Sequence, residues 1–312
     1  MPSRINPDAL RAQLSPLRHT AELTADARYY QAYYGLDLPH HGGIQRRLGR
    51  FQVHGYEVVA QAWYPEQPVA TLLVLHGYYD HMGLYRHVVD WGLRMGFAVL
   101  ACDLPGHGLS SGPRASINEF EEYQAVLQGL LHEAAAMELP QPWHLLGQST
   151  GAAIVLDYLL CQPVHPALGQ SILLAPLVRP RAWGWSRFSY EVMRRFVKQI
   201  PRRFSENSGD PAFLQFIQSS DPLQPDILPT AWVGALSRWI QRIEGAPASP
   251  HSPLIVQGEA DMTVDWQHNL PVLQDKFAAP EILRLPSARH HLVNEQEALR
   301  REYFGFLSER LK

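Results

Sequence analysis

A stretch from Trp143 to Leu160, WHLLGQSTGAAIVLDYLL, limits the folds open to this chain more than any other. Pro140 and Pro142 end the polar, helix-patterned segment ahead of it, and Trp143 to Leu146 is an apolar run of strand length. Ala152, Ala153, Val155, Leu156, Leu159 and Leu160 then recur at helical spacing. Gly147-Gln148-Ser149-Thr150-Gly151 is thus held between a buried strand and a buried helix. A turn that tight excludes bulk on either side of the serine, because the strand and helix backbones nearly touch, and the two glycines meet that demand. This is the form of a nucleophile elbow. It lifts the Ser149 hydroxyl to the carboxyl edge of a sheet and aims the first N–H groups of the helix beside it.

The G-x-S-x-G pattern occurs a second time, at Gly108-Leu109-Ser110-Ser111-Gly112. There it follows Pro105-Gly106-His107 instead of a strand, and Pro113 and Arg114 come next instead of an apolar helix. Context separates the two copies and makes Ser149 the candidate nucleophile and Ser110 a turn serine.

The rest of the chain supplies the sheet that such an elbow needs. Arg46–Val53 and Tyr56–Tyr64 read as a hairpin around His54-Gly55, and Thr71–Leu75 and Phe97–Cys102 as fully apolar strands. Ser171–Leu174, Leu254–Val256 and Ile282–Leu285 continue the series, with helical patterns at Leu84–Met95, Phe120–Met137, Trp266–Phe277 and from about Gln296 onward. Near-continuous apolar strands alternating with helices predict an α/β fold, its mostly parallel sheet covered on both faces. With 312 residues, 46% of them apolar and 18% charged, there is enough material for one large core or a core with an inserted domain.

The alternation stops between residues 176 and 247, where strand-like runs are missing and aromatic residues crowd. The predicted organisation is a peripheral arm or helix at 1–45, a core at 46–175 and 248–312, and a helical cap at 176–247. The cap holds ten Lys or Arg against six Asp or Glu, whereas the whole chain has 27 against 30. A net charge of −3 gives no pull toward nucleic acid, and the basic surplus is local. Within it, Phe188, Val192, Phe196 and Ile200 fall on one helical stripe, with Arg187, Arg194, Arg195 and Lys198 elsewhere around the helix. Such a segment is either a lid helix with a solvated basic face or a surface that docks on anionic membrane. The two cysteines, Cys102 and Cys161, lack metal-ligand spacing and read as thiols in a reducing compartment. No apolar stretch has the length of a membrane span, so the expectation is a cytoplasmic protein.

An activated serine needs a base, and the base an acid to orient it, in the chain order serine, acid, histidine. Beyond Leu254–Val256 come Asp261 and Asp265; Asp261 leads as the acid, and Asp265 also suits the N-cap of the helix at Trp266. His290 and His291 follow the last strand, and His290 leads as the base.

Four motifs now resemble those of the α/β-hydrolases related to monoacylglycerol lipases and bacterial lysophospholipases, a group also called serine aminopeptidase-like. His76-Gly77-Tyr78-Tyr79-Asp80-His81 resembles the family's HG-x-x-E-H segment, with Asp80 for Glu and Tyr78 for a small residue. Asp103-Leu104-Pro105-Gly106-His107-Gly108 resembles D-x-R-G-H-G, with Pro105 for Arg. Gly258-Glu259-Ala260-Asp261 with Asp265, and His290 to Glu295, are similar to the family's acid and base segments. The resemblance runs from about Arg46 to the end. It implies an α/β-hydrolase fold, a Ser149-Asp261-His290 triad, and an oxyanion hole made by the backbone N–H groups of Tyr78 and Thr150. It implies no metal or cofactor, and gives His76, His81 and His107 structural places in turns.

The expected activity is hydrolysis of a single-chain lipid ester in an apolar tunnel, for which Trp183, Trp185 and Phe188 of the cap are candidate lining residues. Two other readings stay open: a small-ester hydrolase or peptidase on the same fold, and a binding protein without catalysis.

Overall fold

A computed structural model describes residues 5–311. The strands are β1 (Gln45–Val53), β2 (Tyr56–Tyr64), β3 (Ala70–Leu75), β4 (Phe97–Cys102), β5 (Trp143–Gln148), β6 (Leu168–Leu174), β7 (Gln199–Pro201), β8 (Ile227–Pro229), β9 (Leu254–Gly258) and β10 (Glu281–Leu285). The helices are α1 (Pro7–Gln13), α2 (Ala25–Tyr34), α3 (Arg86–Arg94), α4 (Glu121–Ala136), α5 (Thr150–Cys161), α6 (Trp183–Met193), α7 (Pro211–Ser219), α8 (Thr230–Gly245), α9 (Trp266–Lys276) and α10 (Glu297–Arg310). Eight strands form one sheet in the order β1-β2-β4-β3-β5-β6-β9-β10. β2 runs antiparallel to both its neighbours, and every pair from β4 to β10 is parallel.

β3, β4 and β5 are buried along their whole length, as central parallel strands covered on both faces must be. Alternate residues serve two cores. Leu73, Leu75 and Leu145 join one with α4, α5, α8 and α9, while Leu72, Val74 and Leu146 join the other with α1, α2, α3 and α10. The register sets Leu75 opposite Gly147 and Gly147 opposite Leu173, so the central strands end level. Loops leaving that edge therefore meet.

Residues 5–44 are not a loose arm. Leu10, Leu14, Tyr30, Tyr34 and Leu36 are buried, and the Tyr34 hydroxyl donates to Asp221 at 2.7 Å, beyond α7. Between β6 and β9 the chain departs from the expected all-helical insertion. It holds α6, α7 and α8, but also an antiparallel β7–β8 pair in which Ile200 faces Leu228. The Phe188 to Ile200 stripe is therefore not one helix face: α6 ends at Met193 and Ile200 lies in a strand. Phe188, Val192 and Phe196 are 60%, 56% and 85% exposed, so the apolar side that remains turns to solvent. α8 is anchored instead. Its Trp239 indole donates to the buried Asp157 of α5 at 3.1 Å, and Arg242 binds the same carboxylate. No helix among the described residues is long and apolar enough to cross a membrane.

Candidate active site

The elbow forms as the glycine spacing requires. A Cβ at Gly147 would lie 2.3 Å from the carbonyl of Gly151, and one at Gly151 would lie 2.1 Å from the carbonyl oxygen of Leu75. Neither position admits a side chain. Between them Ser149 adopts φ 54° and ψ −109°, a conformation that L-residues seldom hold. Its N–H is fixed by the carbonyl of Leu174 at 2.9 Å, and α5 starts at the next residue.

Two loops from the same sheet edge bring the base and the acid. His290 follows β10 and approaches Ser149 Oγ with Nε2 at 2.9 Å. Its Nδ1 lies 2.7 Å from Asp261 Oδ2, in the loop after β9. Asp261 Oδ1 accepts the N–H groups of Thr263 and Val264 at 2.7 and 3.1 Å, and Oδ2 also accepts Gln257 Nε2 at 3.2 Å. Burial alone would raise the Asp261 pKa, but His290 and these N–H donors outweigh it and hold the carboxyl below its usual range. Gln148 Nε2 donates to the carbonyl of His290 at 2.9 Å, tying the histidine loop to the elbow.

The rival candidates sit elsewhere. Asp265 accepts the N–H of His268 at 3.3 Å as the N-cap of α9. Ser110 Oγ donates to the carbonyl of Asp103 at 2.7 Å and accepts the N–H of Val59, stapling a loop to β2. His291 turns away from Ser149 and places Nε2 3.1 Å from Asp80 Oδ1.

That last contact begins a network under the loop after β3. Asp80 Oδ2 accepts the Tyr85 hydroxyl at 3.0 Å, and the Tyr85 oxygen accepts the N–H of Gly77 at 2.9 Å. Asp80 N–H closes a turn on the carbonyl of Gly77, with Tyr79 at φ 68°. The two middle residues of this turn are Tyr78 and Tyr79, so the network fixes the peptide whose N–H was expected to face the substrate. Among the described residues neither Tyr78 N–H nor Thr150 N–H has a hydrogen-bond acceptor. Burial would raise the Asp80 pKa, yet His291 and Tyr85 keep it well below the carboxylate range.

Three other histidines organise the surrounding turns. His76 Nε2 accepts the N–H of Leu104 at 2.8 Å, and His107 Nδ1 lies 2.9 Å from the carbonyl of Pro105. His81 forms a fully buried pair with Asp221 at 3.0 Å, linking the loop after β3 to the chain beyond α7. Burial lowers the His81 pKa but the Asp221 carboxylate more than compensates, so it is raised; Asp221 is held down to about 2.

Of the aromatic residues picked from sequence, Trp183 is buried in the core while Trp185 and Phe188 face solvent. α6 thus turns Trp183 inward and lays Trp185 and Phe188 on its outer side. The aromatic beside the site is Trp232 of α8, stacked on Tyr78 with ring centroids 3.7 Å apart. Arg202 lies 4.1 Å over the Tyr79 ring. Sequence reasoning missed Trp232, Arg202 and Asp221 as neighbours of the site, and none of the three carries a local signal. Tyr85 is legible as the residue that follows the His76–His81 segment.

Comparison with known proteins agrees with this architecture. The profile of the family described as serine aminopeptidase, S33 matches residues 66–297. A monoacylglycerol lipase of Mycolicibacterium smegmatis is 28% identical over 255 residues, covering 78% of this chain and 90% of that protein. Phospholipase YtpA of Bacillus subtilis is 29% identical over 114 residues, covering 36% of this chain and 43% of its own. The crystal structure of a soluble variant of monoglyceride lipase from Saccharomyces cerevisiae, in complex with a substrate analog, superposes with a TM-score of 0.72 at 17% identity, over 85% of this chain and 94% of that one. The fold, the edge on which the candidate residues meet and a profile match over well over half the sequence lead to one statement: the chain belongs to the serine aminopeptidase, S33 family of α/β-hydrolases.

Proposed function

We propose that the protein is a serine hydrolase that cleaves the carboxylic ester of a single-chain lipid, a monoacylglycerol or a lysophospholipid, through an acyl-enzyme on Ser149. The observation that carries this reading is the unbroken relay Ser149–His290–Asp261, with contacts of 2.9 and 2.7 Å, beside two backbone N–H groups that have no acceptor among the described residues. In this mechanism His290 Nε2 takes the Ser149 proton as Oγ bonds to the ester carbonyl carbon. The carbonyl oxygen gains the negative charge and is held by Tyr78 N–H and Thr150 N–H, each worth roughly 3 kcal/mol when prealigned. The C–O bond to the alcohol then breaks, and the departing oxygen takes the proton from His290. A water, deprotonated by His290, attacks the acyl-enzyme, and Ser149 leaves with the proton as the fatty acid is released. Asp261 keeps the Nδ1 proton in place throughout, so Nε2 is the nitrogen that faces Ser149.

The lipid substrate is supported by the lipase and phospholipase names of the relatives and by the apolar wall that Trp232 and Tyr78 make beside the site. Residues 176–247 act in this reading as the cap over the acyl chain. The exposed Trp185, Phe188 and Phe196, flanked by Arg187, Arg194, Arg195 and Lys198, form the face that meets anionic membrane from the cytoplasm, where Cys102 and Cys161 stay as thiols.

The test is a series of p-nitrophenyl esters, monoacylglycerols and lysophospholipids of increasing chain length. Each buried methylene contributes roughly 0.8 kcal/mol, so kcat/KM should climb steeply from acetate to octanoate. A panel in which acetate outranks every longer chain would remove the lipid reading and favour a small-ester hydrolase. Binding to anionic vesicles should weaken with salt; binding indifferent to salt would leave α6 an ordinary solvated surface.

A further inference from the structure

Away from the catalytic edge, one group of side chains brings together ligand atoms of the kind that hold a metal ion. His40 and His41 lie in the connection between α2 and β1, and Asp90 lies on the outer side of α3. His40 Nε2 is 2.6 Å and His41 Nε2 2.8 Å from the same carboxylate oxygen, Asp90 Oδ1. Among the described residues this is the one group of three or more His, Cys, Asp or Glu whose ligand atoms converge within 4.8 Å.

The placement is built by the fold and is not a chance meeting of loose chains. Leu36 and Leu38 on the amino side are buried, the Leu36 carbonyl accepts the Trp63 indole N–H at 3.0 Å, and His41 N–H closes a turn on the carbonyl of Leu38 at 3.1 Å. The two imidazoles are therefore presented together, with ring centroids 4.5 Å apart. From the other side, Arg94 binds Asp90 Oδ2 at 2.9 Å, which orients the carboxylate so that Oδ1 faces the rings.

We propose that His40, His41 and Asp90 form a surface site for a divalent transition-metal ion of the Zn²⁺ class, clipping the amino-terminal segment to α3. Two imidazole nitrogens and one carboxylate oxygen match the borderline softness of Zn²⁺, whereas Mg²⁺ and Ca²⁺ call for oxygen ligands. Ligand atoms of a tetrahedral Zn²⁺ stand about 3.3 Å apart, so the imidazoles of His40 and His41 need retreat from Oδ1 by only about 0.7 and about 0.5 Å. On binding, the Zn²⁺ takes the Nε2 position on each ring, whose remaining proton sits on Nδ1. Water completes the shell, because three protein ligands leave the fourth position open and His40 is more than half exposed. The consequence is a link between segments 50 residues apart in sequence, made where α3 leads back to the Tyr85 turn.

The experiment uses the full chain without an affinity tag, stripped with EDTA and titrated with ZnCl₂ against a chromophoric chelator, with Tm read in parallel. One Zn²⁺ should bind per chain and raise Tm. His40→Gln, His41→Ala and Asp90→Asn should each weaken binding at least about tenfold and abolish the Tm rise. His40→Gln alters an exposed side chain and keeps the test valid if Asp90→Asn folds poorly. Stoichiometric binding with X-ray absorption showing imidazole nitrogens near 2.0 Å would support the site. No binding by the wild type up to about 100 μM, or binding undiminished in His40→Gln and His41→Ala, would overturn it.

Discussion

The carboxyl edge of the sheet and the outer face of α6 both carry aromatic side chains, yet they are built on opposite terms. At the edge every candidate group is over-determined: Ser149 is locked between two glycines that admit no Cβ, and Asp261 accepts four hydrogen bonds. On α6, Trp185, Phe188 and Val192 face solvent, with the Trp185 and Phe188 rings 5.9 Å apart, centroid to centroid. Chemistry needs the first kind of construction, since a misplaced base loses its function within an ångström, whereas an exposed face carries no such demand on position.

The contrast is broken most forcefully at the triad. Asp261→Asn should lower kcat by about 10⁴ through the wrong imidazole tautomer, measured on a medium-chain ester, whereas Asp265→Asn, which keeps a good N-cap, should leave kcat unchanged and shift stability by no more than about 0.5 kcal/mol. Loss of activity in the second variant with retention in the first would reassign the acid.

Next comes the buried pair that ties the site to the cap. Asp221→Asn leaves His81 uncompensated and should cost about 3–5 kcal/mol in urea unfolding. The pair also predicts a pH window. The raised His81 contributes stability that is complete below about pH 6.5 and is lost as pH rises through its folded value; the depressed Asp221 contributes above about pH 3.9 and is lost toward pH 2. Relative to Asp221→Asn, the wild type should therefore gain most between about pH 4 and 6.5; an advantage that grows steadily into alkali would contradict the assignment.

A smaller effect sharpens the comparison inside the edge itself. His291→Ala removes the Asp80 partner two hydrogen bonds from the Gly77 peptide, and should lower kcat roughly tenfold to a hundredfold while leaving KM within about twofold. A fall in stability with unchanged kcat would make the network purely structural. Smallest of all, Phe188→Ser and Phe196→Ser should shift unfolding by no more than about 0.5 kcal/mol, because neither side chain is buried. A large loss would mean that α6 packs in solution.

The same contrast separates the features that are legible in the amino-acid sequence from those that are not. The elbow, the apolar strands and the choice of Ser149 over Ser110 are short-range facts: a strand, a tight turn and a helix within eighteen residues leave few alternatives. Asp265 is legible as an N-cap for the same reason. The stripe from Phe188 to Ile200 misleads because helical spacing says which residues share a face only while the helix lasts, and it ends at Met193. The docking of α2 through Tyr34 and Asp221, and the stacking of Trp232 on Tyr78, join residues more than 150 positions apart. No local pattern encodes such pairs.

Labelling with a fluorophosphonate tests most directly whether Ser149, and no other serine, carries the acyl group. The wild-type chain should take one label, on the tryptic peptide that holds Ser149; Ser110→Ala should label fully and a folded Ser149→Ala not at all. Labelling that persists in folded Ser149→Ala, or disappears in folded Ser110→Ala, would contradict the assignment.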